Sequence, residues 1–361
     1  MTLDQRAVEV LRIVIEEHVK SGEPVSSRRT ARLHAEQLSP ATIRNIMADL
    51  TEDGYLEQPH TSAGRVPTDR GYRFFVDDAL GNKIRLPARE VRQIKDLLAS
   101  TRELDELLSR ATRLLADMTH RVGVVLAPDL EQAVLEHVDF VRIGPHRLVA
   151  IFVSRTGIVT HRVLDVDEDL PQDGLDRLGA KLRQHLVGYT LPDVRRRMIE
   201  LLREDHDWAR RIGREAVGRV IGFLEKPFPE EAGELRLEGT SSLLELPEFG
   251  DVQRLRDALR TLEERTQLVR LLDRCLASPG VQVIIGAETK DPSLALMSVV
   301  ASPYRAGRTA KGLVGVVGPR RMEYARAVAI VDELARTITD ILNAEERERG
   351  PEQRQPGAEE S

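Results

Sequence analysis

Two short stretches carry side chains suited to reading nucleic acid. In the first, Arg44 and Asn45 stand side by side within Ser39-Pro40-Ala41-Thr42-Ile43-Arg44-Asn45. A guanidinium can bind guanine O6 and N7 together, and a carboxamide can bind adenine N6 and N7 together. Ser39 and Thr42 bring hydroxyls to the start of the same stretch, where a phosphate would meet free helix N–H groups. In the second, Thr61-Ser62-Ala63-Gly64-Arg65 places two hydroxyls and a guanidinium in a polar loop. That set suits the sugar–phosphate backbone or a minor groove. Arg28 and Arg29 form a third, less specific pair: phosphate clamps in the first turn of a helix, or solvated surface cations.

No catalytic constellation accompanies them, so the expectation is a non-enzyme without cofactor or metal. The nine histidines are scattered, and neither HExxH nor CxxC spacing occurs. There is no GxSxG elbow. The run from Gly312 to Gly318 spaces its glycines as GxxGxxG inside an apolar strand, unlike a nucleotide-binding loop. It reads as a strand packed closely on a helix.

The elements that must position the candidate residues follow from periodicity and caps. Thr2 and Gln5 have capping-box spacing for a first helix with Val8, Leu11, Ile15 and Val19 on one stripe, ended by Gly22 and Pro24. Ser26 can cap a second helix to about Leu33, with Ala31 and Leu33 inward. Ser39 caps a third, with Pro40 at its first position, where a missing N–H costs nothing. At 100° per residue Ile43, Ile46, Met47 and Leu50 share one side. Ala41, Arg44, Asn45 and Ala48 share the other, where two alanines permit close approach to a groove. Gly54 ends the helix, Tyr55-Leu56 opens a strand, Gly64 permits a positive-φ turn, and Arg65 is the charge at the tip of the loop.

This order is that of a winged helix-turn-helix over residues 1–80. The alternative is a small three-helix core used for protein contacts. Charge does not separate them: residues 26–73 hold seven Arg and no Lys against six Asp and Glu. A non-specific DNA binder would be more basic.

At these residues the chain resembles the bacterial heat-inducible transcription repressor HrcA family. The N-terminal resemblance rests on Gly22-Glu23-Pro24-Val25, on Leu38 to Asn45, on Tyr55 to Arg65 and on Gly71-Tyr72-Arg73-Phe74. The C-terminal resemblance rests on Ala301-Ser302-Pro303-Tyr304 and on Gly315 to Tyr324. It implies a GAF-like α/β domain carrying an inserted dimerisation domain. It also implies an inverted-repeat operator upstream of chaperone operons, and a chaperonin partner that keeps the repressor active.

The remaining 280 or so residues allow a second and third domain. The net charge of −6 marks a mixed, solvated surface. No apolar run approaches the ~18 residues of a membrane span, and a single cysteine suits a reducing cytoplasm, so a cytoplasmic, nucleoid-associated protein is expected. Cys275, in an apolar helical stretch, reads as a packed small hydrophobe. Ala88 to His120 reads as helix, with Leu104, Leu108, Ala111, Leu115, Met118 and Val122 in a heptad-like repeat. It would pack on the next domain or contact a second copy.

Strands are expected at Val138–Ile143, Arg147–Ser154 and Ile158–Asp165. Helices are expected at Gly174–Gly188, Asp193–Arg203 and Asp207–Leu224. A strand pair around Gly239, a helix from Leu255 to Leu276, strands at Val281–Ile285, Ala295–Ala301 and Gly312–Val317, and a helix from Met322 to Leu342 complete the chain.

The fold class is therefore α+β and multi-domain. Residues 81–169 would be a linker helix and the first part of a GAF-like domain, 170–245 the inserted dimerisation domain, 246–344 the second GAF-like part, and 345–361 a disordered tail. The function that fits is a sequence-specific repressor acting as a homodimer on double-stranded DNA. A small-molecule-sensing regulator using the GAF-like domain and a scaffold without DNA binding are the alternatives. The dimer surface could be the insert, the helix from Ala88, or both.

Overall fold

The computed structural model describes residues 3–348, except 35–37, 61–63, 82–84, 102–103, 129–133, 155–158, 167–170, 191–192, 195, 198–234, 292–293 and 307–309. The expected helix Asp207–Leu224, most of Asp193–Arg203 and the tail beyond 348 lie outside the described residues.

α1 (Gln5–Ser21) is capped by Asp4, whose Oδ1 accepts from the Ala7 amide at 2.6 Å. A carboxylate there satisfies an orphan donor and complements the helix dipole, so Asp4 takes the role expected of Thr2. Gly22 closes the helix at φ 73. α2 (Ser27–Leu33) starts on Ser26 as expected, but the residue it buries is Thr30. Ala31 packs against the core as expected, but Leu33 is 50% exposed, which corrects its expected inward position. Thr30 can be buried because its hydroxyl returns to the Ser26 carbonyl at 3.2 Å.

α3 (Pro40–Glu52) packs Ile43, Met47 and Leu50 on this pair. β1 (Leu56–Glu57) and β2 (Val66–Pro67) pair antiparallel as the wing. α4 (Asp69–Gly81) follows, with the Thr68 hydroxyl accepting from the Gly71 amide.

The stretch expected as one helix is two, α5 (Ala88–Ala99) and α6 (Leu104–Thr119). Val122, the last member of the heptad-like repeat, instead sits in β3 (Val122–Leu126). Beyond it, β4 (Leu135–Gly144), β5 (Arg147–Ser154) and β6 (Val159–Asp165) form an antiparallel meander of their own. α7 (Gln172–Leu186) packs on that meander, burying Leu175, Leu178, Leu182 and Leu186.

β7 (Leu235–Glu238) returns to pair with β3, and a 3₁₀ segment (Thr240–Glu245) replaces the second strand expected after Gly239. The helix expected over Leu255–Leu276 breaks at Glu264 into α8 (Val252–Glu263) and α9 (Arg265–Leu276). β8 (Gln282–Ile285), β9 (Met297–Ala306) and β10 (Ala310–Pro319) come next. α10 (Tyr324–Glu348) buries Tyr324, Val328, Val331, Ile338 and Leu342 as expected, and runs past the predicted start of the tail.

The main sheet is wholly antiparallel, in the order β7-β3-β10-β9-β8. Its two faces follow the period of two. Val125, Val300, Val314 and Val316 join a core with α6 and α10, while Val122, Val124, Val299 and Val317 join a core with α8 and α9.

Two expected boundaries do not match this topology. The strands at 135–165 are expected in the GAF-like sheet, yet among the described strands they pair only with one another. β7 was placed in the insert, yet it is an edge of the main sheet. Among the described residues, β4–β6 and α7 thus lie outside the main sheet, between β3 and β7. Periodicity identifies strands but not their partners.

Nor is residue 80 a break in packing. Val10, Leu11, Val14, Ile43, Leu56, Tyr72 and Val76 of the head belong to the same core as Ile94, Tyr304, Tyr324 and Ile330.

Candidate nucleic-acid interface

The helix that carries Arg44 and Asn45, α3, is built from its cap. Ser39 Oγ accepts from the Thr42 amide at 3.1 Å and lies 2.9 Å from Thr42 Oγ1. Both hydroxyls are exposed at the N-terminal end of α3. With Ile43, Met47 and Leu50 buried, Ala41, Arg44, Asn45 and Ala48 are left in water on the opposite face. The structure therefore brings Ser39, Thr42, Arg44 and Asn45 to one helix, with the exposed Arg44 and Asn45 side by side.

At its other end α3 is held rigidly. Arg70 lies over the Tyr55 ring, 4.4 Å from its centroid, and donates to the Asp53 carbonyl at 2.6 Å. Thr68 Oγ1 donates to the Gly54 carbonyl at 2.7 Å.

Arg65 is not at the tip of the wing. Its amide and carbonyl exchange 2.9 Å hydrogen bonds with Val25, and its Nε donates to Thr51 Oγ1 at 3.0 Å. That places its half-buried guanidinium at the wing base, beside the end of α3. Gly64 does not adopt positive φ either. It is needed because a Cβ would lie 2.3 Å from the Val25 carbonyl oxygen. Thr61 and Ser62 lie outside the described residues.

Arg28 is exposed, whereas Arg29 forms an ion pair with the mostly buried Glu17. Half of the proposed clamp is thus already neutralised. Buried carboxylates need such a partner, and a helix-to-helix pairing of this kind leaves no periodic trace in the sequence.

Head and body meet at a joint that periodicity and caps do not reveal. The motifs around Tyr72 and Arg320 meet there. Arg73 pairs with Glu288 and donates to the Val283 carbonyl at 2.6 Å. Arg320 donates to Asp69 at 2.8 Å, and Arg321 donates to the Val19 carbonyl at 2.7 Å while paired with Glu248. The rings of Tyr72 and Tyr324 pack 5.7 Å apart. Burial raises the pKa of both hydroxyls well above the usual phenol value. This joint fixes how the head is carried.

Among the described residues no group of His, Cys, Asp and Glu could hold a metal ion, and no helix is long and apolar enough to cross a membrane.

Comparison with known proteins adds to this geometry. A family profile described as "HrcA protein C terminal domain" matches residues 105–328. The chain is 38% identical over 344 residues to a heat-inducible transcription repressor HrcA from Geobacter sulfurreducens, covering 95% of this chain and 99% of that one. It is 36% identical to the protein of that name from Syntrophobacter fumaroxidans, covering 94% and 97%. The Symbiobacterium thermophilum protein of that name is 37% identical, covering 94% and 98%. A solved structure titled as a hypothetical protein at 2.2 Å resolution superposes with a TM-score of 0.63 at 22% identity, covering 95% of this chain and 99% of that one. This last likeness bears on the fold alone.

Proposed function

The chain belongs to the HrcA family of heat-inducible transcription repressors, and we propose that it silences chaperone operons by seating two copies of α3 on an inverted-repeat operator. The observation that carries this reading is the exposed face of α3, where Arg44 and Asn45 stand beside two alanines and a capped helix start. Arg44 and Asn45 read base edges in a major groove, while Ser39 and Thr42 meet the flanking phosphate. The wing, anchored at Arg65, lies along the backbone, and Thr61 and Ser62 offer their hydroxyls to it. Arg28 adds a phosphate contact at the start of α2, with Arg29 the weaker of the pair.

Two recognition helices related by a two-fold axis call for a palindromic site, so the active species is a homodimer. The segment 127–234 supplies the dimer contact. A chaperonin keeps the repressor in its active form, and its withdrawal on heating relieves repression. A protein whose active fraction shifts several-fold for ~1–2 kcal/mol suits such control.

The test is fluorescence anisotropy of the full chain on an inverted-repeat duplex and a scrambled duplex across several salt concentrations. A preference of at least about 10³ is expected. Equal, salt-sensitive binding to both duplexes would reduce the protein to a generic DNA contact. Adding chaperonin should raise the binding-competent fraction, and no change would remove it as partner.

A further inference from the structure

Where the head meets the body, a cleft of about 210 Å³ opens between the end of α1, the α6–β3 turn and the first turn of α10. Val19, Met118 and Met322 form its apolar wall, and Arg121, Arg326 and Glu323 its polar one.

Arg121 is the unusual member. Its guanidinium is withdrawn from water and faces the like charge of Arg321, and both effects lower its pKa from the usual guanidinium value. Arg321 is itself paired with Glu248, and Arg326 with Glu90. Arg121 Nη1 donates to the neighbouring His120 carbonyl at 2.7 Å, but its Nε is buried and meets no acceptor among the described residues.

Two backbone features seat it there. His120 adopts φ 51, a region sparsely used by residues with a side chain. Gly318 lies beneath the arginine stem, where a Cβ would come within 2.7 Å of Arg121 Cδ. A partly desolvated cation with an unsatisfied N–H is costly, even with Glu248 and Glu323 near enough to offset part of that cost. A chain that accepts strain at one residue and gives up a side chain at another to hold such a cation gains only if something binds it.

We propose that this cleft is a binding site for a small oxyanion, a phosphate or carboxylate group held by Arg121 with Arg326 at the rim. The rest of the ligand lies on Met118 and Met322. Glu323 favours a molecule that also carries a hydroxyl or ammonium donor. Val19 belongs to the head, and its carbonyl is gripped by Arg321 from the body. A ligand here touches both sides of the joint and favours the docked arrangement over any other.

The test is thermal unfolding of the full chain in sodium phosphate, sodium acetate or sodium chloride at matched ionic strength, with equilibrium dialysis of labelled phosphate. Phosphate or acetate, but not chloride, should raise Tm saturably, and whichever does so identifies the group. Arg121→Met should lose that response while keeping the wild-type Tm in chloride, because the guanidinium it removes is half-buried with one N–H left unsatisfied. Arg254→Gln, at an exposed position on α8, should keep the response. Arg121→Lys retains charge but not the fork, and should weaken phosphate binding at least about tenfold. No saturable response to either anion, or an equal response in the Arg121→Met protein, would overturn the proposal. Unchanged phosphate affinity in the Arg121→Lys protein would overturn it too.

Discussion

Asp69 and Arg320 meet at 2.8 Å although 251 positions separate them. The second carboxylate oxygen of Asp69 accepts from the Ala287 amide at 3.0 Å. Asp69 opens α4, directly after the wing, so one carboxylate couples the wing to the main sheet at two points. Asp69→Ala leaves a guanidinium and an amide without their acceptor, and should cost about 1–3 kcal/mol in urea unfolding of the full chain. Asp69→Asn keeps one acceptor oxygen and should cost less. Wild-type stability in the alanine protein would show that the joint is held by packing alone.

Cap and reader on α3 should separate cleanly. Ser39→Ala removes the acceptor for the Thr42 amide and is expected to cost about 0.5–2 kcal/mol of stability, with some loss of DNA affinity. Arg44→Ala touches nothing buried. It should leave the unfolding midpoint unchanged, yet cost about 1–3 kcal/mol in operator binding and relax base preference at one position. A shared phenotype in the two proteins would mean that Arg44 acts by holding the helix.

Gly64→Ala probes the wing base. The added Cβ would sit 2.3 Å from the Val25 carbonyl oxygen, so the Val25–Arg65 bridge must open. The expected cost is about 1–3 kcal/mol, as for other overpacked sites. Hydrogen exchange of the Val25 and Arg65 amides should accelerate, and affinity should fall on all duplexes alike. Retained protection of both amides would place the wing's anchor elsewhere.

Alkaline pH should destabilise the protein. Burial pushes the Cys275 thiol up to about 11 and drives the Tyr72, Tyr304 and Tyr324 hydroxyls above the usual phenol value. The unfolded chain therefore releases these protons first as pH rises. Their contribution is complete below the unfolded thiol value near 9 and is lost as pH climbs through the folded values. Urea midpoints should be flat on this account between pH 7 and 8.5, then fall. Alkylation of Cys275 at pH 7.5 should occur only at the rate of opening. Fast labelling of the native protein would contradict the burial.

Much of the head was legible because its signals are local. Ser26, Ser39, Pro40 and Gly54 each act within one turn, and the inward Ile43–Met47–Leu50 stripe needs only the helical period. Arg65 was misplaced because its partners, Val25 and Thr51, come from other elements. The same limit explains the main sheet. β3 is only five residues long and follows a helix without a strong turn signal, so Val122 continued the helical repeat on paper. Pairing of β7 with β3 across more than a hundred residues has no sequence signature at all. The Gly312–Gly318 run packs closely on helices as expected, and its glycines also make room for Tyr304 and Val300 on the adjoining strand and for Arg121. Arg320 and Arg321 stood within a quoted motif, yet only their contacts to Asp69 and Val19 give them work.

The pairing of Leu126 with Leu235 has an architectural consequence. The chain departs from β3 and comes back on β7 at directly opposed residues, so the described meander β4–β6 and α7 hang from a two-stranded root. Topologically β3 and β7 are the arms of one hairpin, and β4–β6 and α7 belong to the connection between them. Because closure entropy grows only with the logarithm of loop length, a loop this long burdens the sheet little more than a short one. The appendage can thus be enlarged, exchanged or trimmed to a tight turn over evolutionary time while the five strands keep their register.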